Sequence, residues 1–387
     1  MASVTGKRVL DFYSTRTSGF LACFLSATEI ANPWYTEVMP LAIHSPMVRD
    51  SMLALGGSHL AHVQQNSAVQ RTAIYHYAKA VAEVTPSIQA WLKGDRKDCE
   101  CLFFAVALLA MYEHIAGDAQ AMYFHVSAVR ELARSLGLLD NPNEPSNKAV
   151  AISLELEVLT EFYSIFKLNN DEEVSREVAQ ILPPRLAILR TYSTFGYGLG
   201  VTADLFLLVP CIAMLALERG RIDHEDQTLN LHTTYITLQQ KAAAWQYPRG
   251  KEENIRDAVI KRGAAKILQA TIQTFLETAY WHRYISTEAL AESIQPFGAA
   301  GILWLNDIAH TPVAKNLAWP LLILGASMRR EEQRVVMMEF LKGDSDVALI
   351  VRVRDTLLWV WRHPDPDVYG MVGLERLSAE TGLFLPI

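Results

Sequence analysis

Cysteines are few in this sequence, and their spacing is not that of a metal site. Of the four, at positions 23, 99, 101 and 211, only Cys99 and Cys101 lie close together. A C-x-C pair alone is neither a zinc knuckle nor the C-x-x-C of a redox enzyme. We therefore expect reduced cysteines that act as small apolar residues, with no zinc site and no disulfide.

The sequence also lacks an excess of positive charge. It contains 35 Lys and Arg residues against 42 Asp and Glu residues, which gives a formal net charge of −7. Proteins bind nucleic acids through clustered basic residues that neutralise phosphates, so this balance argues against DNA as a direct partner. It leaves room for a small anionic ligand held by two or three basic side chains.

Targeting segments and common catalytic signatures are missing as well. The chain does not open with a basic stretch followed by an apolar one, as a secretory signal would. Its longest apolar run, around residues 201–217, contains Asp204 and Pro210 and predicts a buried helix rather than a membrane span. We expect a cytoplasmic protein, with a nuclear one as the alternative. Neither a glycine-rich phosphate loop nor a spaced Ser-His-Asp arrangement supports a kinase, dehydrogenase or hydrolase.

What the sequence does contain is helical periodicity. Half of its residues are hydrophobic, which is enough for a large core, and they recur at spacings of three and four with no sustained alternation. This predicts an all-α protein, a single multi-helix body of antiparallel helices. An N-terminal segment, residues 1–30, precedes a helical domain of residues 31–387. The predicted helices are 47–65, 70–90, 99–115, 119–138, 151–167, 201–219, 229–245, 256–284, 287–310, 319–343 and 347–362.

Short stretches spread along the chain resemble a known family in their order and spacing. They are Asn32-Pro33-Trp34, Val38 to Ala42, Leu53 to Ala61, Met111 to Ile115 with Gly117, His125, Trp319 to Gly325, Arg334, and Trp359 with Trp361. Together they look like the fungal-specific transcription factor domain of the second type, the ligand-responsive region of many fungal regulators. The resemblance covers about residues 30 to 385.

The sequence departs from this family ahead of the domain. The resemblance implies a cluster of six cysteines that binds two zinc ions, followed by a basic linker. This sequence has neither, and only about thirty residues precede the stretches that carry the resemblance. We therefore expect a protein that does not bind DNA directly, with a helical body whose core could hold an apolar small molecule.

One group of enzymes resembles the same domain. The humulene synthases of fungal tropolone-sesquiterpenoid pathways look like stand-alone copies of it, lack the zinc cluster and cyclise farnesyl diphosphate. The resemblance implies a Mg²⁺-dependent ionisation of the diphosphate, assisted by a lysine on a late helix. A shared fold does not fix function, so the chemistry has to be sought in particular residues.

Carboxylates are the candidate ligands for Mg²⁺, which prefers hard oxygen donors. Glu157 and Glu161 lie one helical turn apart and so share a helix face. Asp171 follows them in an acidic stretch. The alternatives are an exposed helix face for the two glutamates and a solvated loop for Asp171.

Lys266 is the candidate catalytic residue that holds the departing diphosphate. It lies beside the apolar stripe of its predicted helix, and the small residues Gly263 and Ala270 leave space for a ligand. Arg262, one turn away, would add a second charge. The alternative is a surface lysine whose stem lies along the helix flank.

A carbocation also needs a dry aromatic pocket. The candidate lining residues are Phe162, Tyr163, Phe166, Tyr197 and Trp304. The alternative is that these rings form an ordinary packed core.

Two functions are therefore open. The first is a Mg²⁺-dependent sesquiterpene cyclase-like enzyme with a prenyl-diphosphate substrate, and the second is a module that binds a small apolar metabolite or a protein. The sequence favours the enzyme narrowly, and it leaves the oligomeric state open, a homo-oligomer included.

Overall fold

The computed structural model describes residues 4–24, 32–166, 168, 172–221, 225–248, 254–343 and 347–381. All regular secondary structure in these ranges is helical, which confirms the predicted all-α class. The helices are α1 (Val4–Phe12), α2 (Ser18–Leu21), α3 (Pro33–Thr36), α4 (Val38–His44), α5 (Pro46–Gln64), α6 (Ser67–Leu92), α7 (Cys99–Ala116), α8 (Ala119–Ser135), α9 (Lys148–Ser164), α10 (Glu172–Leu189), α11 (Ala203–Phe206), α12 (Leu208–Arg219), α13 (Glu225–Ala244), α14 (Ile255–Trp281), α15 (Thr287–Ile302), α16 (Leu305–Ile308), α17 (Pro312–Asn316), α18 (Ala318–Ala326), α19 (Glu331–Gly343), α20 (Ala348–Arg362) and α21 (Gly370–Thr381). A π-helical stretch, Tyr13–Thr17, connects α1 to α2.

Helix α10 is not among the predicted helices, and its sequence contains Pro183 and Pro184, which disfavour the interior of a helix. The helix continues through both prolines, which are exposed to solvent. Val178, Leu182 and Leu186, at helical spacing, are buried. Burial of this stripe stabilises the helix more than the missing backbone hydrogen bonds weaken it.

The chain folds into two compact units. The described residues of Met1–Glu157, Ala187–Gly198 and Ser345–Leu349 form unit 1. Those of Val158–Leu186, Leu199–Asp344 and Ile350–Ile387 form unit 2. Helix α9 passes from unit 1 to unit 2 after Glu157.

In unit 1, α5 packs against α6 and α7, and α7 packs against α8. Helices α5 and α6 approach closely at Gly57, where an added Cβ would lie 3.0 Å from the Cβ of Ala73. At the density of a protein interior, that distance leaves no space for a larger side chain. Helix packing thus accounts for a small residue in the Leu53 to Ala61 stretch.

Helix α7 is the one in the described ranges that is long and apolar enough to cross a membrane. It is a core helix instead, since 72% of it is buried inside the protein. The apolar run at residues 201–217, singled out in the sequence, is divided between α11 and α12. Burial of α7 agrees with the expectation of no membrane span.

A buried carboxylate holds a loop of unit 1. Glu155 on α9 is 1% exposed and accepts hydrogen bonds from the backbone N–H groups of Gly196, at 3.0 and 3.1 Å, and Gly198, at 3.0 Å. Backbone donors stabilise a carboxylate that has been removed from water. The loop that contains these two glycines is therefore fixed in place.

Two histidines of the family-like stretches lie around Phe20 in unit 1. The ring centroid of Phe20 is 5.8 Å from that of His59 and 5.8 Å from that of His114. Burial lowers the pKa of His114 to about 4, so its imidazole is neutral in the folded protein at neutral pH.

The lowered pKa of His114 predicts a pH-dependent stability. Between its ordinary pKa of 6.5 and about 4, the unfolded chain binds a proton that the folded protein does not. The contribution of neutral His114 is therefore complete above pH 6.5 and is lost as the pH falls towards 4. His114→Gln should reduce the slope of unfolding free energy against pH in this window by up to about 1.4 kcal/mol per pH unit. Urea denaturation at a series of pH values measures that slope, and the exposed His44→Gln variant should keep the wild-type slope. Equal slopes in all three proteins would contradict the prediction.

In unit 2, α14 packs against α12, α13, α15, α16 and α18. From Gly263 to Tyr280 nearly all its side chains are buried. A helix that is buried around most of its circumference is typical of the core of a large folded unit. Helix α14 therefore organises the core of unit 2.

Helix α18 is buried at every position and packs tightly against α20. An added Cβ at Gly325 would overlap Cδ1 of Leu357 and lie 2.9 Å from its Cδ2. Leu357 is fully buried, so it has no free volume into which to rotate. Glycine is therefore the residue that permits this contact.

Two side chains donate hydrogen bonds to backbone carbonyl groups at the C-terminal end of α18 and just after it. Trp361 donates its Nε1–H to the carbonyl of Gly325 at 2.9 Å, and Arg334 donates its Nε–H to the carbonyl of Met328 at 2.9 Å. Side-chain donors of this kind satisfy carbonyl groups that a helix end leaves open. The prediction of one continuous helix over residues 319–343 was therefore wrong. The chain turns at residues 327–330, and α19 is a separate helix.

The contact at Gly325 predicts a large effect for a small substitution. Gly325→Ala should lower the free energy of unfolding by about 1–3 kcal/mol, because the new methyl group overlaps a buried leucine. In a Leu357→Ala background the same substitution should cost less, as chemical denaturation in a double-mutant cycle would measure.

Gly298 on α15 is the matched control for this substitution. An added Cβ there meets nothing within 4 Å. Gly298→Ala should be neutral or stabilise the protein by up to about 1 kcal/mol, as alanine does in a helix. A Gly325→Ala protein as stable as Gly298→Ala would contradict the close approach.

Candidate binding site

Lys266, the predicted catalytic residue, is half-buried on α14. Its Nζ donates to Oε1 of Gln269 at 2.8 Å and lies 5.8 Å from the ring centroid of Trp245. Gln269 in turn donates its Nε2–H to the carbonyls of Ala242, at 2.7 Å, and Trp245, at 3.2 Å. The ammonium group thus takes part in a polar contact between α14 and the end of α13.

Arg262 lies one turn before Lys266 and is placed in a similar way. Its guanidinium carbon is 5.6 Å from the ring centroid of Tyr247. Both predicted cations therefore lie against aromatic rings of the segment that follows α13, where they gain cation–π stabilisation.

The small residues next to Lys266 do not leave space for a ligand, contrary to our expectation. An added Cβ at Gly263 would lie 3.0 Å from Ile308 and 3.5 Å from the carbonyl oxygen of Trp304. The Cβ of Ala270 is 3.5 Å from the position that a Cβ would take at Gly301. Small side chains are present here because α15 and α16 pack directly on α14.

The predicted aromatic lining residues at the end of α9 and just after it form a packed cluster in unit 2. Phe162 stacks on Phe206 with ring centroids 5.2 Å apart, and Tyr163 stacks on Trp319 at 5.0 Å. Phe166 contacts Trp319 edge-on, with centroids 3.5 Å apart. These rings fill the space between one another, as in an ordinary core.

The other two predicted lining residues are not part of this cluster. Trp304 is half-buried, immediately before α16, and its carbonyl faces Gly263 as described above. Tyr197 belongs to the loop of unit 1 that Glu155 holds, and its carbonyl accepts the N–H of Phe24 at 3.2 Å.

Glu157 and Glu161 were predicted either to bind a metal ion or to lie on an exposed helix face. The second alternative is wrong, because both side chains are buried. Glu157 is 2% exposed in unit 1, and Glu161 is 8% exposed in unit 2. Asp171 lies outside the described residues. Among the described residues, no group of three or more His, Cys, Asp or Glu side chains is placed to hold a metal ion. Mg²⁺ is commonly held by one or two carboxylates together with waters and substrate phosphates, so Mg²⁺ stays a prediction.

A groove of about 360 Å³ between α19 and α20 was not anticipated from the sequence. None of the predicted site residues lines it. Its apolar lining includes Met338, Leu358 and Trp361, and its charged lining includes Arg334 and Lys342. Its volume lies within the range of small-molecule sites, about 300–1,000 Å³.

Arg334 is the best-positioned charged group in this groove. Its Nε is bound to the carbonyl of Met328, and its guanidinium carbon lies 5.4 Å from the ring centroid of Trp361. Burial lowers the pKa of Arg334, and Glu331 opposes this shift, so additional negative charge near the guanidinium would be favourable. In the described part of the protein, no acceptor is bound to its two terminal nitrogens, which remain for the groove.

The sequence did carry a signal for this groove. Gly325, Arg334 and Trp361 all belong to the stretches that resemble a known family, although nothing in their spacing shows that they meet. In the structure they form one connected group, in which Trp361 and Arg334 both close the end of α18 and line the groove.

Comparison with known proteins agrees with the family resemblance of these stretches. The family described as a fungal specific transcription factor domain matches residues 8–371, from α1 to the start of α21. No curated protein and no solved structure matches the chain. Since the match spans far more than half of its length, the chain belongs to the fungal-specific transcription factor domain family.

Proposed function

We propose that this chain is the ligand-responsive module of a regulator, and that its ligand is a small anion with an apolar body bound in the α19–α20 groove. The observation that carries the proposal is Arg334, which Met328 and Trp361 hold at the groove with two terminal nitrogens available. The proposal includes no direct binding to DNA, in keeping with the net charge of −7.

The balance of charge and apolar surface supports this ligand class. Three cations line the groove, Arg334, Lys342 and Arg362, against the two carboxylates Glu331 and Glu339. The excess of one positive charge favours an anion, and a planar guanidinium binds carboxylate or phosphate through two parallel hydrogen bonds. The apolar side chains beside Arg334 suit the remainder of such a molecule.

A ligand bound in this groove would also affect the neighbouring turn between α18 and α19. Arg334 and Trp361 also hold the carbonyls at the end of α18, so a ligand that fixes them stabilises the α18–α19 turn as well. A ligand that binds only the folded state raises stability in proportion to its concentration over its Kd, which gives a direct measurement.

A matched pair of probes tests the ligand class. Calorimetry should show binding of 4-phenylbutyrate and weaker binding of its neutral amide, by about tenfold or more, because only the carboxylate pairs with Arg334. Arg334→Met should abolish the preference for the anion. Arg354→Met is the control, since Arg354 lies on α20 in an ion pair with Asp355 at 2.9 Å and does not line the groove.

Arg334 also holds the turn, so its replacement could unfold this region. Arg362→Gln changes an exposed groove residue instead and should weaken the anion by a smaller factor while the circular dichroism spectrum stays the same. Equal affinity for both probes in the wild-type protein, or no binding of either, would contradict the proposal.

Product formation from farnesyl diphosphate distinguishes the cyclase hypothesis from the proposed binding module. Purified protein incubated with farnesyl diphosphate and Mg²⁺ should yield no terpene in gas chromatography if the module only binds ligands. A terpene product that is lost in Lys266→Ala would support the cyclase instead. Because Lys266 makes a single hydrogen bond to Gln269, that substitution should change stability by no more than about 1.5 kcal/mol.

A further inference from the structure

The residues that line the α19–α20 groove lie in successive levels along the two helices. Arg334, in the first turn of α19, lies against Trp361, in the last turn of α20, with the guanidinium carbon 5.4 Å from the ring centroid. Only residues 344–347 connect the end of α19 to the start of α20. The two helices are therefore antiparallel, so a residue one turn further along α19 faces a residue one turn earlier on α20.

The level next to Arg334 is apolar. Met338 lies one turn after Arg334 on α19, and Leu358 lies one turn before Trp361 on α20, so each shares a helix face with its neighbour. Both side chains line the groove and are half-buried. Met338 and Leu358 are therefore the apolar side chains that the body of a ligand meets first when its charged group is at Arg334.

The level after Met338 is charged again. Lys342 lies two turns after Arg334 on α19, Glu339 precedes it by one turn, and both residues line the groove and are exposed. At a rise of about 1.5 Å per residue, Arg334 and Lys342 are about 12 Å apart along the helix axis. An alkyl chain that extends past this level gains no apolar contact and displaces water from charged groups, which costs free energy.

The distance between the two charged levels limits the length of the ligand. A carbon–carbon bond of about 1.5 Å advances an extended alkyl chain by about 1.3 Å, so about 12 Å corresponds to a chain of about eight to ten carbons. Shorter chains leave the apolar level partly in water, and longer chains reach the charged level. The groove therefore favours an intermediate length.

We propose that the ligands of the α19–α20 groove are medium-chain monocarboxylates, and that Met338 and Leu358 determine the chain length, an inference that rests on the proposed function because it requires an anion at Arg334. The carboxylate binds at Arg334, and the alkyl chain lies between Met338 and Leu358. The flexible thioether side chain of Met338 suits an apolar ligand of no fixed shape. Each methylene that leaves water at this level adds to the affinity, and a methylene beyond Lys342 does not.

A series of straight-chain carboxylates measures this preference by calorimetry, at concentrations below micelle formation. The series is butanoate, hexanoate, octanoate, decanoate and dodecanoate. Up to octanoate the affinity should rise by about two- to threefold per methylene, which is less than the roughly fourfold of full burial because Met338 and Leu358 are only half-buried. From decanoate to dodecanoate the affinity should rise by less than about twofold in total.

Substitutions test the two residues that determine the length. Met338→Ala and Leu358→Ala should each reduce the gain in affinity from butanoate to octanoate by about threefold or more, because they remove apolar surface that covers the distal methylenes. The affinity for butanoate, whose chain is too short to pass this level, should stay within about twofold. Met122→Ala is the matched control, since Met122 is a half-buried methionine on α8 and does not line the groove.

If the alanine variants do not fold, Met338→Gln keeps the length of the side chain and should still lose the gain, because its amide stays hydrated. The failures of the two proposals are distinguishable. Absence of binding by every carboxylate, 4-phenylbutyrate included, contradicts the proposed function. Equal affinity for butanoate and octanoate, a constant increment through dodecanoate, or an unchanged profile in the Met338 and Leu358 variants would overturn the length limit while anion binding persists.

Discussion

The end of α18 cannot move away from α20 without breaking two kinds of contact at once. One is the close approach of Gly325 to Leu357, and the other is the hydrogen bond from Trp361 to the carbonyl of Gly325. Arg334 adds a third connection through Met328. The shape of the α19–α20 groove depends on these contacts, since two of the residues that make them also line it.

The contact between α13 and α14 is specified by polar side chains as well as by apolar packing. Gln269 bonds the backbone at the end of α13, and about two turns further along α14 the hydroxyl of Tyr235 donates to the buried carboxylate of Glu277 at 2.6 Å. Burial raises the pKa of Glu277, while the bond from Tyr235 opposes that shift. Polar networks of this kind fix the register of two helices, because any displacement leaves buried groups unsatisfied. Lys266 lies inside this arrangement, which explains its position without reference to a ligand.

Periodicity was sufficient to predict the long helices, and the reasons for its failures are tertiary. Helices α5, α7 and α14 lie within a few residues of their predicted bounds because each buries an unbroken apolar pattern. The break after α18 could not be predicted, since it depends on Trp361 and Arg334, which reach the chain from elsewhere in the sequence.

The candidate site residues also show what periodicity can predict and what it cannot. Spacing indicated correctly that Phe162 and Phe166 are buried, but the period of a helix does not tell whether a buried face meets a cavity or other rings. It also gave no sign that Glu157 and Glu161 are buried, because an acidic pair one turn apart is compatible with either environment. The groove combines residues of the two consecutive helices α19 and α20, and the period of each helix does not tell which of its residues face the other helix across an open volume.

Helix α7 has the composition of a membrane-spanning segment and depends on its neighbours to stay out of lipid. Helices α5 and α8 cover it in the folded protein. During synthesis α7 leaves the ribosome before α8, so for a time its apolar surface has only the preceding helices to bury it. A truncation that ends between α7 and α8 would make this temporary state permanent, and such a fragment should aggregate or associate with membranes rather than fold.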